Sequence, residues 1–386
     1  MTKEPPQGVA FLPWVGLSAP LTIGRLRLLP YERGKAPGDV AHCTQESLDR
    51  VMSAYAGHQD RGIEDATLIE VGDWYTGMDA DGKINEFFRL RDFIGMAALA
   101  KRRFFTHFQY CNFDTYHLVV QRFTKTSAGK QAVMSRRRDG STMAYWAAKD
   151  FAFHRPMHVD GRASVDLEEA LLKALLDLPA GSDHVLEAIR EFAHANTDSP
   201  DVMPHVELIM MKSAFEWLLD SGPDIHPFRK ALAAAFAGIK RIEDQEIKGP
   251  RKGAWQKAWP KADNLLDAWA REFHALRGSS AHGVQRNAPK FVWPLHTHLL
   301  FTATLFPLLL KMWCERKGLY KLDLRDREKL RRIEQYIAED PLDPKYGEDN
   351  DEEIENPWKA LEDECSLILL AQRMYGKTEP QASSKA

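Results

Sequence analysis

Near His158 the spacing of apolar residues changes, and no other feature limits the possible folds of this chain as strongly. Before that point short runs that alternate in steps of two are mixed with a helical stretch; after it apolar side chains recur in steps of three and four throughout. A period of two puts one face of a strand against a core, and a period near 3.6 puts one stripe of a helix there. At 386 residues the chain exceeds what one small core organises, so two or three structural units are expected. The expected class is α+β, with an N-terminal mixed α/β unit followed by an all-α helical bundle.

In the N-terminal part, Leu21, Ile23, Leu26 and Leu28 alternate with one slip, which predicts a strand with a bulge or twist over 21–31. ATLIEV (66–71) and YHLVVQRF (116–123) read as further strands between Gly and Asp turns. Residues 85–105 have helical spacing despite Gly95. Residues 1–158 are thus expected to form an α+β domain, taken as a sensing or regulatory module.

A helical connector is expected over 159–200. Asp166 and Glu169 suit a capping box for a helix over 167–178, which Pro179 and Gly181 end. A second helix follows over 183–195, and Pro200 is placed in the first turn of the next one. The helical domain proper is expected over 201–320, with helices at 202–220 and 226–238. A further helix opened by Pro260 buries Ala262, Leu265, Leu266, Trp269, Phe273 and Leu276, and a last one runs from Pro294 to Gly318. Residues 321–386 read as charged helices with few core positions, interrupted by an acidic, turn-rich linker over 341–356.

Composition excludes some classes. A net charge of −3 rules out a globally basic nucleic-acid binder but not a local basic face. Cys43, Cys111, Cys314 and Cys365 lie far apart with no Cys-x-x-Cys pair, which predicts reduced thiols in a cytoplasmic protein. The first residues lack the apolar stretch of a signal peptide. The run Leu299–Leu310 is about a dozen residues long, too short for a span, and reads as a core helix. No membrane association is expected.

The chemistry-bearing stretch is AREFHALRGSSAHG (270–283), where Arg277 and His282 are separated by four residues. The spacing alone is weak, since Arg102 and His107 repeat it within KRRFFTHF. Context separates the two. Arg277 follows one turn after Phe273, at the edge of the apolar stripe. Gly278, Ser279 and Ser280 are poor helix formers, and Gly283 suits a helix terminator, so His282 is expected at or beyond a frayed helix end.

An apolar helix bearing Glu216 (MMKSAFEWLL), followed by a helix ending in LRGSSAHG and then an apolar helix, resembles the HEPN superfamily. Within it, the match is to the subgroup whose signature ends in Arg, four residues, His-Gly. The resemblance covers roughly 202–318, under a third of the chain. The residue after the arginine, commonly polar in that family, is Gly278 here.

The resemblance implies metal-independent RNA cleavage with Arg277 and His282 as catalytic residues and Glu216, Ser279 and Ser280 in support. It implies no cofactor, a 2′,3′-cyclic phosphate product, and a homodimer in which two Arg/His pairs converge. Proteins of this kind serve in antiviral defence or as toxins, with a phage or cellular trigger. The residue types suit the task. RNA supplies its own 2′-hydroxyl nucleophile, imidazole moves protons near neutral pH, and guanidinium offers fixed charge to phosphate. The alternative is a non-catalytic dimerisation or nucleotide-binding module.

Plainer roles stand beside these. Arg277 can pair with Glu216, and His282 can cap a helix end. His274 reads as a surface or partly buried histidine, and His296 and His298 alternate without a third ligand, so no metal site is expected. In the loop before the motif helix, Lys252, Trp255, Lys257 and Trp259 interleave cations and indoles suited to RNA backbone and bases; the same pattern suits a solvated loop pinned to the core by two tryptophans. Arg136–Arg138 form a second basic cluster to which no role is assigned.

Overall fold

The computed structural model describes residues 7–35, 45–57, 62–72, 80–106, 109–123, 132–136, 139, 142–146, 152–159, 164–282, 291–346 and 354–375. The chain is α+β and divides into two units. One comprises residues 1–99, 111–176 and 197–199; the other comprises 100–110, 177–196 and 200–386.

The first unit contains β1 (Gln7–Leu12), β2 (Leu21–Ile23), β3 (Leu26–Glu32), α1 (Gln45–Met52), β4 (Tyr55–Ala56), β5 (Asp65–Val71), α2 (Ala80–Leu99), β6 (Val119–Phe123), β7 (Ala132–Arg136), β8 (Thr142–Trp146), β9 (Phe153–His154) and α3 (Glu169–Leu176). Five strands form an antiparallel sheet in the order β2-β3-β5-β1-β6. β4 pairs with β9 in parallel, and β7 with β8 as a hairpin.

The slip in the alternation over 21–31 is not a bulge but a turn. Ile23 pairs with Leu26, and Gly24, at φ +57°, starts the two-residue loop that makes β2 and β3 a hairpin. β1, unread in the sequence, has Val9, Ala10, Phe11 and Leu12 all buried; covered on both faces, it shows no alternation. α1 packs Leu48, Val51 and Met52 into a cluster with Phe11, Leu29, Tyr31 and Leu68. Gly95 belongs inside α2 for a steric reason, because a methyl group there would overlap the Phe113 ring.

The second unit contains α4 (Asp183–Ala195), α5 (Pro204–Leu219), α6 (Ile225–Ala235), α7 (Ala254–Ala258), α8 (Leu265–His282), α9 (Leu295–Arg316), α10 (Leu324–Arg331), α11 (Ile333–Ala338) and α12 (Pro357–Tyr375). Its core is an aromatic spine. Phe192 of α4 stacks on Phe306 of α9 at 4.2 Å, and Phe215 of α5 bridges Phe306 and Phe273. Trp269 stacks on Phe273 at 5.0 Å and meets Phe301 edge-on at 4.7 Å. α9 is the one described helix long and apolar enough to cross a membrane, yet 83% of its apolar window is buried within the fold. It is the core helix of this unit.

The division departs from the expected boundaries. α3 belongs to the first unit, and α4, expected in a connector, belongs to the second because Val185, Ala188, Ile189 and Phe192 are fully buried. The stretch 321–340 is not one charged helix with few core positions. It breaks between α10 and α11, and all six residues of α11 are buried. Part of the acidic run, 347–353, lies outside the described residues. α8 begins at Leu265 rather than at Pro260, where the Asn264 side chain accepts from the Asp267 amide as a cap. Likewise Pro204, not Pro200, occupies the first turn of α5.

Candidate functional site

α8 is held from both sides along its first half. The apolar face buries Leu265, Leu266, Trp269 and Phe273. On the flank, the Arg229 guanidinium of α6 grips Asp267 through Nε and through Nη2 at 2.6 Å, while Arg271 reaches the same carboxylate at 3.0 Å. Burial alone would raise Asp267; the Arg229 bond, the Asp263 amide and Arg271 together outweigh it and hold the group below the usual carboxylate range.

Glu272, one residue before Phe273, is fully buried. Its Oε2 accepts from Trp259 Nε1 and from the Val292 amide, both at 2.8 Å, and its Oε1 accepts from the Trp293 amide at 2.7 Å and from His298 Nε2 at 3.3 Å. Four N–H donors converge on one carboxylate. Burial lowers the His298 imidazole below its usual value despite the opposing effect of Glu272, and because a carboxylate oxygen can only accept, Nε2 is the donor in this contact.

One turn further the environment changes. Lys212, on α5 and fully buried, donates to Glu216 Oε1 at 2.6 Å and lies 3.8 Å from the centre of the Phe228 ring. Burial pulls its ammonium below the usual lysine value, and the Glu216 bond only partly restores it. His274 is partly buried. Burial and the nearby Lys212 and Arg277 charges lower it, while Glu216 and Asp224 oppose them, and its Nδ1 is buried without a hydrogen-bond partner.

Arg277 is half-buried beside this group. Its Nε has no hydrogen-bond partner, and among the described residues no carboxylate lies within ion-pair distance of it. Of the three basic side chains here, Lys212 is the one bonded to Glu216. The simple Arg277–Glu216 pair considered from the sequence does not form.

Gly278–Ser280 do not end α8, and His282 is the last residue of the helix, at its end as expected. Each poor helix former costs only about 0.5–1 kcal/mol, and extending an anchored helix needs no new nucleus. On a regular helix, positions 277 and 282 lie about 140° apart around the axis and about 7.5 Å apart along it. The side chains of Ser279, Ser280 and His282, and all of Gly283, lie outside the described residues.

The loop residues divide. Trp255 is buried in the core, while Trp259 is partly buried and its Nε1 donates to Glu272. Lys257 is exposed and Lys252 half-exposed, leaving these cations accessible. Arg251 is tied to Asp340 at 2.6 Å and to the Val292 carbonyl. Arg102, of the competing motif, is buried and bonded to Asn196; His107 and Arg137–Arg138 lie outside the described residues. His296 is exposed and His298 buried, and two residues apart on a helix they face about 160° away from each other. They cannot share a metal ion.

Sequence reading missed Lys212 and Glu272. The signals were a lysine within an apolar face, four residues before Glu216, and an acid inside the stripe between Trp269 and Phe273. Comparison of the chain with models of known families, with curated proteins and with solved structures finds no match.

Proposed function

We propose that the helical unit is a metal-independent endoribonuclease of the HEPN type, with Arg277 and His282 as its catalytic residues. The observation that supports this reading most is Arg277 itself. A guanidinium half-buried without a carboxylate partner, beside a buried lysine and a partly buried histidine, is a ready seat for an anion such as a phosphodiester. In the proposed reaction the ribose 2′-oxygen attacks phosphorus and forms the new P–O bond while the P–O5′ bond breaks. Imidazole takes the 2′-hydroxyl proton and a proton is delivered to the departing 5′-oxygen. The products are a 2′,3′-cyclic phosphate and a 5′-hydroxyl, and Arg277 stabilises the charge on the pentacoordinate phosphorus.

The resemblance to the HEPN superfamily further implies a homodimer in which two Arg277/His282 pairs converge on one cleft, and the proposal includes it. Lys252 and Lys257 are proposed to track the RNA backbone, and Ser279 and Ser280 to line the motif end. The first unit is proposed to sense a phage or cellular trigger in antiviral defence or toxin action, in the cytoplasm. The unbroken course of α8 through the motif favours one other reading, a non-catalytic dimerising or nucleotide-binding module.

Single-stranded RNA incubated with the full-length protein in EDTA separates the two. Cleavage that persists under chelation and disappears in both Arg277→Ala and His282→Ala is expected. Wild-type protein that binds RNA but never cleaves it assigns the non-catalytic module instead.

A further inference from the structure

The buried cluster between α5 and α8 contains a group that the proposed chemistry does not use. Lys212 is fully buried, an unusual place for an ammonium, and its one hydrogen-bond acceptor among the described residues is Glu216 at 2.6 Å. The charged groups around this pair are His274 and Arg277 on α8 and Asp224 at the start of α6. Glu216 is the only carboxylate on α5 at this level, and among the described residues no carboxylate pairs with Arg277. His274 feels both Glu216 and Arg277, and Arg277 lies one turn beyond it. His274 and Arg277 are thus the other cations whose charges act within this group.

We infer that Lys212 is a positioning residue that occupies Glu216 and so keeps Arg277 open to an anionic ligand, the phosphodiester of single-stranded RNA. The inference rests on the proposed role of Arg277 and adds to it a reason why the guanidinium is free. Without Lys212, the carboxylate swings to Arg277 and competes with phosphate for the same donors. A salt bridge that forms on the protein would be an internal inhibitor. The ring of Phe228 beneath the ammonium, at 3.8 Å, holds Lys212 in place from the side opposite Glu216.

The test is binding of a fluorescently labelled, 2′-O-methylated single-stranded RNA, which lacks the nucleophile, to the full-length protein in EDTA, read by anisotropy. Arg277→Ala is expected to weaken binding at least tenfold, and Lys212→Met roughly tenfold. The double variant Lys212→Met/Glu216→Gln is expected to return to within about threefold of wild type, because the competing carboxylate is gone. Lys212→Arg, which keeps the pair, is expected to stay near wild type. A merely structural lysine is not rescued by removing Glu216, so a double variant as weak as Lys212→Met overturns the inference while leaving the Arg277 reading intact. A wild-type affinity unchanged by Arg277→Ala overturns both. If Lys212→Met fails to fold, the charge-free double variant decides alone. Affinity near wild type supports positioning through Glu216, and a tenfold loss overturns the inference.

Discussion

Glu272 and Arg277 stand five residues apart on α8, and the helix treats their charges in opposite ways. Glu272 is enclosed, and each of its oxygens accepts two N–H donors, drawn from Trp259, Val292, Trp293 and His298. Arg277 is half-exposed, without a carboxylate, and surrounded by other basic groups. A buried charge with complete hydrogen bonding serves the fold, and removing it leaves several donors stranded. A charge left incompletely bonded at the edge of a core adds little to the fold and is available to a ligand. The contrast separates the part of α8 that organises the unit from the part proposed to act.

Four measurements break or sharpen this contrast. Glu272→Ala strands four donors in the core and is expected to cost about 3–5 kcal/mol in denaturant unfolding; a loss below about 1 kcal/mol would show that the network is not what holds the loop ends to α8. Trp255→Ala, which empties a core position in the loop before the motif, is expected to cost about 3 kcal/mol. Lys257→Ala, on the exposed side of the same turn, should stay within about 0.5 kcal/mol. Equal, small effects would return the indole to the surface and to RNA.

The third measurement uses pH. Burial lowers the folded-state imidazole of His298 below its ordinary value of 6.5. The unfolded chain then takes up the proton first, so this contribution to stability is complete above about pH 6.5 and is lost as pH falls toward the folded value. Wild-type stability is expected to drop between pH 7 and 5.5, by at most about 1.4 kcal/mol per pH unit. His298→Gln, which keeps an N–H donor but does not titrate, should have a shallower slope. His274 and His117 are lowered in the same direction, so a slope identical in wild type and His298→Gln would move the acid sensitivity away from the Glu272 network. The smallest effect is expected for Arg277→Ala, whose unfolding free energy should move by less than about 1 kcal/mol in either direction. A loss above 2 kcal/mol would make Arg277 as structural as Glu272 and remove the contrast.

Much of the architecture was legible because periodicity reports burial directly. α4, α5, α6 and α9 lie within a few residues of the stretches that apolar spacing indicated, and β5 and β6 follow their β-branched runs. β1 was not legible, since a strand covered on both faces has no alternation to read. The hairpin at Gly24 was mistaken for a bulge because a two-residue turn shifts an alternating pattern much as an inserted residue does. α11 was hidden for a different reason. Its Glu334 and Gln335 read as solvent-facing, yet Glu334 Oε1 accepts from the Leu266 amide and Gln335 exchanges hydrogen bonds with the Lys248 backbone. Polar side chains can enter a core when the donors and acceptors that meet them come from distant segments.

By itself the sequence determined the class of the fold, the helices of the second unit and the place of Arg277 just beyond an apolar stripe. These follow from spacing along one element, which needs no knowledge of its neighbours. The tertiary structure alone decided that Glu216 is bonded to Lys212, that Trp255 turns inward, and that Glu272 gathers four donors. Each depends on which segments meet in space, and a charge or an indole has no fixed role until its partners and its share of water are set.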